Sequence, residues 1–155
     1  WWMVSPGNPL KSRGPAEIRR RIEASRAMMR HPAVTITDVE TRLGARHTAD
    51  TLAELHRRWP MVRFVWLMGA DNLATFHRWE RWTEIMDTTP VGVLARPGQQ
   101  LFAGLAPAAR RYARFRLPEH AARALPFSDP PCWTLLTGRM SGQSSTEIRA
   151  RGEWP

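Results

Sequence analysis

Val62-Arg63-Phe64-Val65-Trp66-Leu67-Met68 runs without a break into Gly69-Ala70-Asp71-Asn72-Leu73. Apart from Arg63 the first seven residues are apolar, and Pro60 and Gly69 bound the run. A continuous apolar stretch of that length suits a strand buried on both faces, so it is expected to be a central strand. The glycine and the polar pair after it mark the point where such a strand gives way to a loop and a helix.

Outward from this strand the pattern alternates. After it come tryptophan-rich turns and a helix over about Phe76 to Met86, then a short strand from Val91 to Ala95 closed by Arg96-Pro97-Gly98. Before it, a helix is expected from Thr48 to Pro60, with Leu52, Leu55 and Trp59 on one face, Thr48 as N-cap and Asp50 in the first turn. Further upstream lie a strand over Val34 to Val39 and a helix over Pro15 to Met29 that carries Ile18, Ile22 and Met29 on its apolar face. An opening strand at Trp1 to Ser5 leads into the loop Pro6-Gly7-Asn8-Pro9-Leu10-Lys11. Residues 99–131 are rich in Ala, Arg and Pro and yield only a helix from about Pro107 to Phe115, before a last strand at Trp133 to Leu136. Alternation at this spacing predicts an α/β fold built of βαβ units, a parallel sheet with flanking helices, in one domain spanning residues 1–155.

Composition narrows the function. A hydrophobic content of 43% fits a globular protein, and no window offers the roughly 20 apolar residues of a membrane span. Cys132 is the only cysteine, so an internal disulfide is excluded and a reducing, cytoplasmic setting is the simplest expectation. The net charge of +9 invites a nucleic-acid partner, yet 22 of the 23 basic residues are arginines spread along the chain. A binding stripe shows clustering instead. The expectation is therefore no nucleic acid and no membrane, with small anionic substrates compatible and an oligomer left open.

In a parallel sheet, ligands bind outside the carboxyl ends of the strands. Four segments fall there: Pro6 to Lys11, Gly69 to Asp71, Arg96 to Gly98 and Ser144 to Arg149. In the last, Ser144-Ser145-Thr146-Glu147-Ile148-Arg149 opens a short helix with three hydroxyl residues, and Arg149 can swing back over its start. Backbone N–H groups, the helix dipole and a guanidinium together grip phosphate. Each segment also has a plainer reading, as a turn, a strand terminator or an ordinary helix cap.

These residues resemble bacterial nicotinate-nucleotide adenylyltransferase, of the nucleotidyltransferase superfamily. The resemblance is carried, in order, by Pro6 to Lys11 after a strand, Thr48-x-x-Thr51-Leu52, Gly69-Ala70-Asp71-Asn72-Leu73 with Phe76 and Trp79, Arg96-Pro97-Gly98, and Ser144-Ser145-Thr146-x-Ile148-Arg149. It implies a Rossmann-like nucleotidyltransferase fold. It implies transfer of the adenylyl group of ATP to nicotinate mononucleotide, giving nicotinate adenine dinucleotide and pyrophosphate, with Mg²⁺ accompanying ATP; the sequence identifies no dedicated protein ligand for it.

By position, Ser144, Ser145, Thr146 and Arg149 would hold ATP phosphates, with Arg149 the catalytic residue. Gly69 would admit adenosine and Asp71 would bond a ribose hydroxyl. Trp79 would stack on the pyridine ring, Thr48 would lie near its carboxylate, and Asn8 and Lys11 would contact the nicotinate nucleotide. The family's opening His-x-Gly-His signature is not matched, since the histidines stand at 31, 47, 56, 77 and 120. The resemblance thus implies that the family's first βα unit lies outside this chain and that the chain alone is impaired. A sibling nucleotidyltransferase with another phosphate acceptor, a nucleic-acid-binding module and an inactive remnant acting as a binding module stay open.

Overall fold

The computed structural model describes residues 1–6, 17–95 and 104–137. They form two compact units, one gathering residues up to Arg46 and the other running from His47.

In the first unit, β1 (Trp2–Met3) pairs in parallel with β2 (Ile36–Thr37), and α1 (Ile18–Met28) lies between them in the chain. Val4 N–H donates to Thr37 O at 2.8 Å, and the Arg21 guanidinium donates to Ser5 O at 2.6 Å, which ties α1 to the end of β1. Ile18, Ile22 and Met29 are half-buried, as the apolar-face pattern predicts, and Ser25 is buried among them in sequence. The strand expected over Val34 to Val39 is shorter. Val39 instead starts α2 (Val39–Leu43), which stops at Gly44. Gly44 adopts φ 65°, the left-handed C-cap that glycine reaches without a Cβ penalty.

The second unit holds a four-stranded parallel sheet in the order β3-β4-β6-β5: β3 (Trp66–Gly69), β4 (Val91–Leu94), β5 (Arg116–Leu117) and β6 (Trp133–Leu136). Register aligns Trp66 with Val91 and Trp133, and Met68 with Val93 and Leu135. Met68, Val91, Val93, Trp133 and Leu135 are all buried, so this face of the sheet is core. On the other face Gly92 is packed so closely that a Cβ would come within 2.6 Å of Leu67 Cδ2.

Two corrections to the sequence expectation follow. Pairing in β3 begins at Trp66 rather than Val62, and β3 stands at the end of this strand order while β4 and β6 are interior. Phe64 turns its ring edge-on to His56 at 5.5 Å, and Val62 is exposed, so residues 62–65 do other work than pairing.

α3 (Thr48–Arg58) packs beside α5 (Trp82–Thr88) and buries Ala49, Thr51, Leu52 and Leu55. Its outer face carries Glu54, whose carboxylate accepts from both Arg57 and Arg58 and is thereby held down to about 2. The helix expected over Phe76 to Met86 is broken. α4 (Ala70–Thr75) and a 3₁₀ turn (Phe76–Arg78) come first, and α5 starts only after Arg81 at φ 50°. α6 (Pro107–Arg111) ends sooner than expected, with a 3₁₀ turn at Ala113–Phe115 and a longer one at Glu119–Phe127.

Buried hydroxyls are satisfied, which is what makes their burial tolerable. Thr134 Oγ1 donates to Leu117 O at 3.1 Å, Thr51 Oγ1 to His47 O at 3.3 Å, and Thr89 Oγ1 lies 3.0 Å from His56 Nε2. Among the described residues no helix is long and apolar enough to cross a membrane.

Candidate active site

β3 passes into α4 with no loop between them. Gly69 is both the last strand residue, paired with Leu94, and the N-cap of α4, at φ −75° and ψ 157°. The backbone N–H groups that open α4 therefore stand at the carboxyl end of the strand. Asp71 lies in the first turn of α4 and is exposed, the position where a carboxylate is favoured by the helix dipole. Asp71 is not the N-cap.

Beyond α4 the chain tightens. Trp79 N–H donates to Phe76 O at 2.9 Å, and Trp82 N–H donates to Trp79 O at 3.3 Å. Trp79 is half-buried, with its ring edge-on to Phe76 at 5.2 Å and to Trp66 at 6.5 Å. Phe76 is wholly buried and also meets Trp82 at 6.1 Å. Two T-shaped contacts with aromatic neighbours thus hold the indole. Next to it in sequence or in space, Trp66 Nε1 and His77 Nδ1 are buried without a hydrogen-bond partner among the described residues.

Thr48 is the first residue of α3, half-buried, and the N-cap is His47 rather than Thr48. His47 makes no side-chain capping bond, while Thr51 N–H reaches its carbonyl at 3.1 Å. Asp50 in that first turn accepts from the Arg81 guanidinium. Thr48 lies two residues before Asp50, and Trp79 two residues before Arg81. This ion pair therefore links the start of α3 to the turn that carries Trp79.

Gly69, Asp71, Trp79 and Thr48 all belong to the second unit. Asn8, Lys11, Arg96-Pro97-Gly98, Ser144, Ser145, Thr146 and Arg149 lie outside the described residues. Because the sheet is parallel, β3, β4 and β6 all leave it at the same end. At the exit of β6 the Glu119 carboxylate accepts from Thr137 N–H at 2.6 Å and from the Thr137 hydroxyl. Those two bonds favour the charged carboxylate and hold it below its ordinary value of 4.5. Sequence reasoning missed Glu119 and Arg81. Neither has a local signal, since each acts through a partner distant in the chain.

Among the described residues the arrangement offers helix starts and a half-buried indole held by aromatic contacts. It suits binding and alignment of a reactant that brings its own nucleophile.

Comparison with known proteins agrees. A family model described as "Cytidylyltransferase-like" matches residues 1–151. A protein of Cereibacter sphaeroides described as "Probable nicotinate-nucleotide adenylyltransferase" is 60% identical over 99% of this chain and 82% of its own length. Proteins of the same description from Ruegeria pomeroyi and Parvibaculum lavamentivorans are 56% and 48% identical over 99% of this chain, covering 72% and 77% of their own lengths.

Proposed function

The chain belongs to the cytidylyltransferase-like family, among the nicotinate-nucleotide adenylyltransferases, and from that premise we propose how its residues divide the work. The protein transfers the adenylyl group of ATP to nicotinate mononucleotide, forming nicotinate adenine dinucleotide and pyrophosphate in NAD biosynthesis. The observation that carries this function is 60% identity over nearly the whole chain to a protein of that description.

A phosphate monoester is already a competent nucleophile at neutral pH. Its oxygen attacks the α-phosphorus of ATP, the bond from that phosphorus to the bridging oxygen breaks, and pyrophosphate leaves with the electron pair. The protein has to align two polyanions and offset their repulsion. In our reading Ser144, Ser145, Thr146 and Arg149 hold the ATP phosphates, with Arg149 facing the charge that develops in the transition state. Gly69, lacking a side chain, lets adenosine approach the strand end, and Asp71 accepts from a ribose hydroxyl. Trp79 stacks on the pyridine ring, Thr48 opens the helix whose N–H groups receive its carboxylate, and Asn8 and Lys11 contact the nucleotide.

Among the described residues no three His, Cys, Asp or Glu side chains converge as a metal site. In our reading Mg²⁺ arrives on the ATP phosphates and partly neutralises their charge. A reducing cytoplasm, small-molecule substrates and the absence of a nucleic-acid partner belong to the same reading, supported by the single buried Cys132 and the evenly spread arginines.

The test is direct. The full-length protein, ATP, Mg²⁺ and nicotinate mononucleotide should yield nicotinate adenine dinucleotide and pyrophosphate in equal amounts, resolved by chromatography. Product from another phosphate acceptor, and none from this one, would favour a sibling transferase.

A further inference from the structure

We propose that Arg81 is a positioning residue that secures acid-over-amide selectivity by neutralising Asp50 at the start of α3. The proposal rests on the reading that Thr48 marks the site of the pyridine carboxylate.

The start of a helix attracts an anion through its unsatisfied N–H groups and its dipole. α3 carries an anion of its own there, because Asp50 lies in the first turn. An uncompensated Asp50 would compete for the same donors and repel an incoming carboxylate. The Arg81 guanidinium bonds Asp50 Oδ1 from 31 residues away in the chain, and its other terminal nitrogen lies 3.6 Å from Glu84.

A second observation is independent of that contact. Arg81 is the only non-glycine residue with positive φ among the described residues, at 50°. It sits inside the turn closed by Trp82 N–H and Trp79 O at 3.3 Å. Glycine or asparagine fills such a position with less strain, and an arginine there bears a backbone cost. Strain of this kind persists where the surroundings hold it and a function uses it. The conformation delivers the guanidinium to α3 while the same turn presents Trp79. One residue thus sets the charge at the helix start and anchors the loop that carries the ring.

Both side chains are two-fifths exposed, at 42% for Arg81 and 44% for Asp50, so water screens the effect and a modest change is expected. Arg81→Gln should lower kcat/KM for nicotinate mononucleotide by about 5- to 20-fold, mainly through KM. The amide nucleotide and the KM for ATP should be little changed, so the acid-to-amide ratio should fall by the same factor. Removing the exposed charge as well, in Asp50→Asn with Arg81→Gln, should restore the ratio to within about 3-fold of the parent. Arg81→Lys should keep most of it.

The experiment is competition kinetics with both nucleotides on the full-length parent, these variants and Asp50→Asn alone, with melting temperatures recorded. An unchanged ratio in Arg81→Gln, or a loss that Asp50→Asn does not repair, would overturn the proposal. Equal loss with both nucleotides would also overturn it, because that is what a purely structural arginine gives. If Arg81→Gln fails to fold, Asp50→Asn alone decides: acid turnover at or above the parent supports the proposal, and a tenfold fall overturns it. Absence of dinucleotide from the parent itself would instead sink the functional reading beneath it.

Discussion

Phe76 and Trp79 meet edge to face with ring centroids 5.2 Å apart, the first wholly buried and the second half-buried at the candidate site. The pair joins the core to the surface on which the pyridine ring is proposed to stack. An indole held by two aromatic neighbours has a defined orientation, which lowers the entropy a ligand must otherwise remove.

Replacing Phe76 by Ala should therefore act twice. Loss of a buried aromatic ring should destabilise the protein by about 3–5 kcal/mol in urea unfolding. At a temperature where the variant is still folded, KM for nicotinate mononucleotide should rise more than KM for ATP. Lost stability with both KM values unchanged would show that Trp79 is placed without Phe76.

Arg149 is expected to separate function from fold. A charge-assisted bond to phosphate contributes about 1.5–3 kcal/mol, so Arg149→Ala should lower kcat/KM by roughly 10- to 100-fold. The melting temperature should stay close to that of the parent. A variant that melts early yet keeps its specific activity would make Arg149 structural.

The strands were legible where apolar runs are buried on both faces: Val91–Leu94 and Trp133–Leu136 lie where the sequence predicts them. Val62 to Val65 is as apolar as a strand, but Phe64 is spent on His56 and Val62 on the surface, choices made by tertiary packing. The break before α5 depends on one φ at Arg81, and an arginine side chain does not announce a left-handed turn. Ala113–Phe115 and Glu119–Phe127 form 3₁₀ turns on either side of β5, the second with Pro126 inside, whose missing N–H interrupts a regular helix. Of the residues proposed for the site, Gly69, Asp71, Thr48 and Trp79 stand out in the sequence as local motifs, and all four belong to the second unit. The Asp50–Arg81 and Glu119–Thr137 contacts were not, because each joins residues 31 and 18 apart in the chain respectively.

Tyr112 ties α6 to α5: its hydroxyl donates to Asp87 Oδ1 at 2.8 Å, and burial is the main cause that pushes the phenol up from its ordinary value. Tyr112→Phe keeps the ring against Trp82, at 5.9 Å, and removes the hydroxyl with its bond to Asp87 and its longer contact with Thr83 O at 3.4 Å. Unfolding in urea should show a loss of about 1–2 kcal/mol. A neutral result would mean that Asp87 finds water at no cost.

Glu119 gives a pH dependence with a defined sign. Its folded carboxyl titrates below the ordinary 4.5 because Thr137 bonds the charged form. Its contribution is thus fully present above about pH 4.5 and is lost as pH falls through the folded value. The urea midpoint of the parent should exceed that of Glu119→Gln at pH 7, and the gap should close below about pH 4.5. A gap that widens toward acid would contradict the bonding seen at the exit of β6.

The most direct test of the account is competition between nicotinate and nicotinamide mononucleotide for ATP on the full-length protein. A carboxylate can accept from the N–H groups at the start of α3, whereas an amide would set its NH₂ against those donors and leave buried groups unpaired. We predict that kcat/KM for the acid exceeds that for the amide by at least about 100-fold, equivalent to roughly 2.7 kcal/mol. Equal use of both nucleotides would contradict the placement of the carboxylate at Thr48 and favour a sibling transferase.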